Sequence, residues 1–173
     1  RSQTDTIVTA WHCLESYRDL SRPITYSTVA VSGELLQREA RRLADGGGMR
    51  ADWAILRLDR AVPAHQVAGL LLQSQRANPE HPVTMAGYSR DKGMGDGGRV
   101  LTYDPACSIT TQQQHQSATN CTAFKGASGG AVVQLAPEGT PQLSGVVSQG
   151  NSEGLSTFVP VAVFRSALQR HLK

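Results

Sequence analysis

The sequence predicts an all-β protein that closes on a single C-terminal helix. Three observations carry this reading: short segments rich in β-branched and apolar residues recur along the chain, glycine- and proline-bearing turns separate them, and the last segment switches to helical spacing. In chain order the strand-like segments are 6–10, 24–31, 53–58, 83–88, 99–103, 131–135 and 143–148. Turn residues fall between them at Gly46 to Gly48, Gly93 to Gly98, Pro137 to Gly139 and Gly150. Residues 34–44 have helix propensity and end at a glycine triplet, although pairing into a sheet can override such a preference. In 161–172, Val161, Phe164, Leu168 and Leu172 share one helical face, and Arg165, Arg170, His171 and Lys173 lean toward the end where the helix dipole favours cations. The polar, proline-bearing stretch 73–82 is the candidate boundary between two lobes, residues 1–77 and 78–173.

The chain has 173 residues, 39% hydrophobic and 18% charged, which describes an ordinary globule rather than a disordered chain. Such a length buries roughly 70% of the unfolded surface. The longest apolar runs, such as Val67 to Leu72, fall far short of the roughly 18 residues of a membrane span. Seventeen basic against 14 acidic residues leave a net charge of +3. Only Arg38, Arg41 and Arg42 cluster, with Glu39 among them and no aromatics, so nucleic acid is not an expected partner.

The three cysteines are Cys13, Cys107 and Cys121. No CxxC or HxxxH spacing occurs, so no closed zinc site is expected. The polar stretch between Cys107 and Cys121 can form a hairpin, and a bridge between them would close a loop worth about 3 kcal/mol. Cys13 is then left over, and the polar start at Arg1 does not resemble a signal peptide. A mature exported protein whose preceding segment carries the partner of Cys13 explains both facts. A cytosolic chain with three buried thiols is the alternative.

Gly126-Ala-Ser128-Gly-Gly130 is the most informative segment. Catalysis by a serine hydroxyl needs Oγ exposed on a tight turn, with backbone N–H groups facing the developing oxyanion. Flanking glycines permit that close approach, although glycine-rich turns containing serine are common. A serine hydroxyl also needs a base. His12 follows an apolar strand-like run and sits between Trp11 and Cys13, whereas His65, His81, His115 and His171 lie in polar surroundings. Asp52, directly before the apolar run 53–58, is the best-placed acid to be buried beside an imidazole; Asp45 and Asp59 fit less well.

Two other motifs compete. Gly-x-Ser-x-Gly also describes the nucleophile elbow of α/β-hydrolases, but there the serine opens a helix, whereas 131–135 reads as a strand and no Asp follows Ser128. Gly93 to Gly98 matches a dinucleotide-binding pattern by letter, but a strand rather than a helix follows, so a surface hairpin is the better reading.

Taken together, Thr9-Ala-Trp-His-Cys13, Asp52-Trp-Ala-Ile-Leu-Arg-Leu58 and Gly126-Ala-Ser-Gly-Gly130 resemble the chymotrypsin-like serine proteases. Ser144 to Gly150 resembles that family's substrate-binding strand, Gly154 to Thr157 its pocket-closing strand, and 161–172 its terminal helix. The short spacings, 83–88, and a Cys-loop-Cys just before the serine turn are similar to the bacterial branch that includes glutamyl endopeptidases. The resemblance implies two Greek-key antiparallel β-barrels, the N-terminal one incomplete because its first strands are missing from the sequence. It implies Ser128 as nucleophile, His12 as general base and then acid, and Asp52 as the group orienting the imidazole. The backbone N–H groups of Gly126 and Ser128 would form the oxyanion hole, and Ser148, Gln149 and Gly150 would pair with the substrate as an added strand. It implies a disulfide between Cys107 and Cys121, no cofactor and no metal.

Departures from the family pattern also carry information. Ala127 stands where many members place an Asp that pairs with a new N-terminus, so that activation switch is not expected. The pocket floor maps to Thr122, with Ala123, Val147, Gly150, Gly154 and Ser156 around it. An uncharged floor argues against a demand for Arg or Lys, and Val147 stands where glutamyl endopeptidases usually carry His. Small or medium uncharged side chains are therefore the expected preference, with Glu153 and Lys125 as solvated charges nearby. The expectation is a secreted or periplasmic monomeric serine endopeptidase acting on protein or peptide, without nucleic acid or membrane. A catalytically inactive relative that binds peptides is the second reading.

Overall fold

The computed structural model describes residues 3–17, 23–88, 101–122, 127–150 and 155–172. Its strands form two sheets, and one helix follows them. The first sheet contains β1 (Gln3–Thr9), β2 (Ile24–Val29), β3 (Leu35–Asp45) and β4 (Ala54–Pro63) in the order β1-β4-β3-β2. Three hairpin-connected strands with β1 returned beside β4 make a Greek-key arrangement, here a half-barrel whose edge strands are β1 and β2. A 3-10 helix, Trp11–Tyr17, leads out of β1.

The second sheet has eight strands. They are β5 (Leu71–Leu72), β6 (Val83–Tyr88), β7 (Leu101–Cys107), β8 (Ile109–Gln112), β9 (Ser117–Thr119), β10 (Ala131–Leu135), β11 (Pro141–Gly150) and β12 (Ser156–Pro160). Their order is β7-β6-β10-β11-β12-β9-β8, with the two-residue β5 pairing in parallel to β11. Every other pairing is antiparallel among the described residues. The all-β class with a terminal helix thus holds: α1 spans Val161–His171, and Val161, Phe164 and Leu168 are buried as the helical spacing requires.

The one element of opposite type is β3, where the sequence favours a helix. Its alternating exposure and its pairing on both sides, Ala40 with Ile24 and with Leu58, show why. The backbone hydrogen bonds of two neighbouring strands outweigh a propensity difference of a few tenths of a kcal/mol per residue. The stretch between Cys107 and Cys121 forms the anticipated hairpin, β8 and β9, and the two cysteines are joined with Cα atoms 5.1 Å apart. Gly93 to Gly98, the surface-hairpin candidate, lies outside the described residues.

The cores differ in size. Val83, Met85, Ile109, Cys121, Val132, Val147 and Phe158 fill the second sheet. A second cluster joins the two sheets through the helix: Ala10, Trp53 and Ile55 pack with Val146, Val159, Phe164 and Leu168. The Trp53 and Phe164 rings lie 6.0 Å apart, and Arg57 donates to the His171 carbonyl. The first sheet's own cluster is small, consisting of Leu14, Ala54 and Leu56. Gln134, 3% exposed, ties the connecting stretch to β10: its amide nitrogen donates to the Asn78 and His81 carbonyls, and its oxygen accepts from Gln73 Nε2 and Asn78 N–H.

Candidate active site

Three chain segments meet between the two sheets. His12 sits in the first turn of the 3-10 helix after β1, Asp52 immediately before β4, and Ser128 in the turn before β10. β1 and β4 are antiparallel neighbours, with Thr9 opposite Ala54, so the end of one and the start of the other fall side by side. The pairing carries His12 to Asp52 across 40 residues of sequence.

Asp52 is fully buried, and both of its carboxylate oxygens accept hydrogen bonds. Oδ1 accepts the His12 backbone N–H at 2.9 Å, and Oδ2 accepts from His12 Nδ1 at 2.7 Å. Oδ2 also accepts the Ser148 hydroxyl at 2.6 Å. A buried carboxylate without partners would carry a large desolvation penalty, and three donors offset it. The contact at Nδ1 fixes the imidazole plane and leaves Nε2 as the nitrogen for proton traffic.

Ser148 links this pair to the nucleophile candidate. Its hydroxyl donates to Asp52, and its carbonyl accepts the Ser128 hydroxyl at 3.1 Å. The Ser128 turn is seated by backbone bonds to β11: Gly129 N–H donates to the Val147 carbonyl at 2.8 Å, and Val147 N–H donates to the Gly130 carbonyl at 2.9 Å. Both glycines are required by space. Gly129 has φ +85°, and a Cβ there would lie 2.4 Å from Thr9 Oγ1 and 3.3 Å from Cys13 Sγ; one on Gly130 would lie 2.1 Å from the Ala86 carbonyl oxygen. These approaches press the serine turn against the end of β1, where His12 begins its helix. Cys13 Sγ donates to the Ser128 carbonyl at 3.4 Å, a further tie between the segments.

The other predicted residues separate into three groups. Gly126, Ala123 and Gly154, with Glu153 and Lys125, lie outside the described residues. Val147, Ser148 and Ser156 are each 1% exposed: Val147 packs in the second sheet's core, and Ser156 donates to the Cys121 carbonyl. Their side chains are closed to a ligand, whereas Gln149 and Gly150 are exposed. The pairing of β11 with β10 ends at Val146, while its pairing with β12 continues to Gly150. Residues 148–150 therefore extend one edge beyond β10, next to Ser128, where another extended chain can pair.

Thr122, the mapped pocket floor, is half-buried, and its backbone N–H donates to Asp104 Oδ2 at 2.6 Å. Asp104 pairs with Met85 across β7 and β6, so it shares the inward face with a core residue. The role of Asp104 was not anticipated, because nothing local in Asp104-Pro-Ala-Cys107 distinguishes it from a surface turn. The Ser148 hydroxyl was likewise anticipated only as part of a substrate-pairing strand.

A serine between close-packed glycines, an imidazole held at one nitrogen by a buried carboxylate, and an open strand edge beside them suit acyl transfer. A family model for the trypsin-like peptidase domain matches residues 1–139. The chain belongs to that family. The match spans His12, Asp52 and Ser128, and it assigns the chain a peptidase-type activity on protein or peptide. No curated protein matches the chain.

Proposed function

We propose that this trypsin-like peptidase domain is a secreted serine endopeptidase acting through His12, Asp52 and Ser128. The observation that carries the reading is the chain of contacts from His12 Nδ1 to Asp52, from Asp52 to the Ser148 hydroxyl, and from the Ser148 carbonyl to Ser128 Oγ. Ser128 Oγ attacks the substrate carbonyl carbon while its proton passes to His12 Nε2. The tetrahedral intermediate places its oxyanion toward the backbone N–H groups of Gly126 and Ser128. Its collapse breaks the C–N bond, and the departing amine takes the proton from His12. Water then repeats the sequence on the acyl-enzyme and restores the serine. Asp52 orients the ring and stabilises the imidazolium.

The substrate pairs as an added strand along 148–150, and its side chain at the cleaved bond enters a pocket floored by Thr122. The preference proposed is for small or medium uncharged side chains. Asp104 offers a direct check, because cleavage after Lys or Arg that falls in Asp104→Asn would make its carboxylate the floor charge. Two lobes, 1–77 and 78–173, place the site at their junction. The Cys107–Cys121 disulfide supports an extracytoplasmic setting, and among the described residues no helix is long and apolar enough to cross a membrane. The disulfide just before the serine turn also favours the bacterial glutamyl-endopeptidase-like branch.

The test is intact mass before and after a fluorophosphonate probe. One adduct, mapped to Ser128 and absent in His12→Ala, is the expected result. A folded protein that takes no label is a peptide-binding relative rather than an enzyme.

A further inference from the structure

Thr122 is held between two strands of the second sheet. Cys121 precedes it, bonded through sulfur to Cys107 at the end of β7. The Cys121 carbonyl accepts the Ser156 hydroxyl from β12 at 2.7 Å, and the Cys121 N–H donates to Thr119 Oγ1 at 3.1 Å. Ser156 stands opposite Gly150, so this tie reaches the strand edge that is open to another chain. From the other side Asp104 on β7 takes the Thr122 N–H on Oδ2 at 2.6 Å. The register partner of Asp104 is Met85, a buried core residue, which fixes the place of the carboxylate.

Asp104 and Asp52 differ in what compensates them. Asp52 has three donors, whereas the Thr122 N–H is the one hydrogen bond to the Asp104 side chain among the described residues. The ion pairs among those residues are His12–Asp52, Arg42–Asp45 and Arg57–Asp5, so none of them neutralises Asp104. A half-buried carboxylate without a counter-charge keeps its field. A side chain resting on Thr122 lies well inside a Debye length of about 8 Å, where salt screens little. Two effects then act on an acidic side chain. The Thr122 N–H is already taken and offers an anion no bond, and the neighbouring charge repels it. A neutral amide of the same shape feels no such repulsion.

We propose that Asp104 is a specificity-determining residue that bars acidic side chains from the Thr122 pocket. The proposal rests on the peptidase reading for which pocket takes the residue at the cleaved bond, but the exclusion itself is a binding property and is tested as one. In Ser128→Ala, fluorescein-labelled octapeptides carrying Gln or Glu at each position in turn are titrated by fluorescence polarisation. At one position the Glu peptide should bind roughly fivefold more weakly than its Gln twin, the size of a like-charge approach in a partly aqueous site. Adding Asp104→Asn should bring that ratio to one while the Gln peptide keeps its affinity. With Asp104 in place, the ratio should shrink as NaCl rises from about 0.05 to about 0.5 M. A merely structural role would weaken both peptides together and would not respond to salt in this way. No position that disfavours Glu, a ratio that survives Asp104→Asn, a ratio indifferent to salt, or no detectable binding of any peptide overturns the proposal; the salt series decides it should the Asn variant not fold. Wild-type protein that takes the fluorophosphonate while every ratio is one keeps the peptidase reading and removes this role of Asp104. Wild-type protein that takes no label while Ser128→Ala keeps the ratio does the reverse.

Discussion

The two sheets contribute to the site in different ways. The second sheet has eight strands, a filled interior and a disulfide, and it carries Ser128 and Ser148 on segments bonded to each other through the backbone. The first is a four-stranded half-barrel whose own buried cluster is three residues, yet it carries His12 and Asp52. Its remaining apolar face is covered from outside, by the helix and by β11 and β12. The Ser128 half is therefore built largely on its own core, whereas the His12–Asp52 half depends on a core it shares. The placement of the proposed catalytic pair need not come from the stability of the sheet that bears it.

The largest effect should come from the single residue that both halves engage through side chains. Asp52→Asn should lower peptide hydrolysis by roughly 10⁴-fold, because the imidazole loses its oriented tautomer and its counter-charge. Rates of fluorophosphonate labelling measure the loss, and near-wild-type rates would remove Asp52 from the machinery. Phe164→Ala tests the shared core, and should cost about 3–5 kcal/mol. If the first sheet relies on that core, tryptophan fluorescence, from Trp11 and Trp53, and far-UV circular dichroism should lose their signals in one transition at a lower temperature. Two separated transitions would show a first sheet that stands alone. Removing the disulfide in a Cys107→Ala, Cys121→Ala double variant should cost about 3 kcal/mol, the value for a loop of this length. The change is read in the denaturant midpoint, and a loss of under about 1 kcal/mol would mean that the unfolded chain gains little freedom there. Ser148→Ala should have the smallest effect, about 1.5–3 kcal/mol for a hydrogen bond to a charged partner. It should fall mainly on kcat, with KM little changed, since the backbone that pairs with substrate is retained.

The sequence was most readable where local chemistry is distinctive. His12 next to an apolar strand, Asp52 opening another and Ser128 between glycines each announce themselves within a few residues, and the structure brings the first two within 2.7 Å. Strands 83–88 and 131–135 were legible to the residue because β-branched and apolar side chains fill them. Residues 35–45 were not, because Leu, Gln, Arg, Glu and Ala favour helices locally and only pairing with β2 and β4 decides otherwise. The Ser148 hydroxyl reaches an acid 96 residues away, and Asp104 a backbone amide 18 residues away. Neither link leaves a local trace, since each depends on where the finished sheet places two distant atoms.

Ser148 touches Asp52 with its hydroxyl and Ser128 with its carbonyl, from one residue of one strand. Sliding β11 by a single position would break both contacts together and turn the side chain to the opposite face. The proposed triad therefore exists only where the two sheets are docked: were they to part, the Ser148 hydroxyl would lose the Asp52 carboxylate and the His12–Asp52 pair would be separated from Ser128.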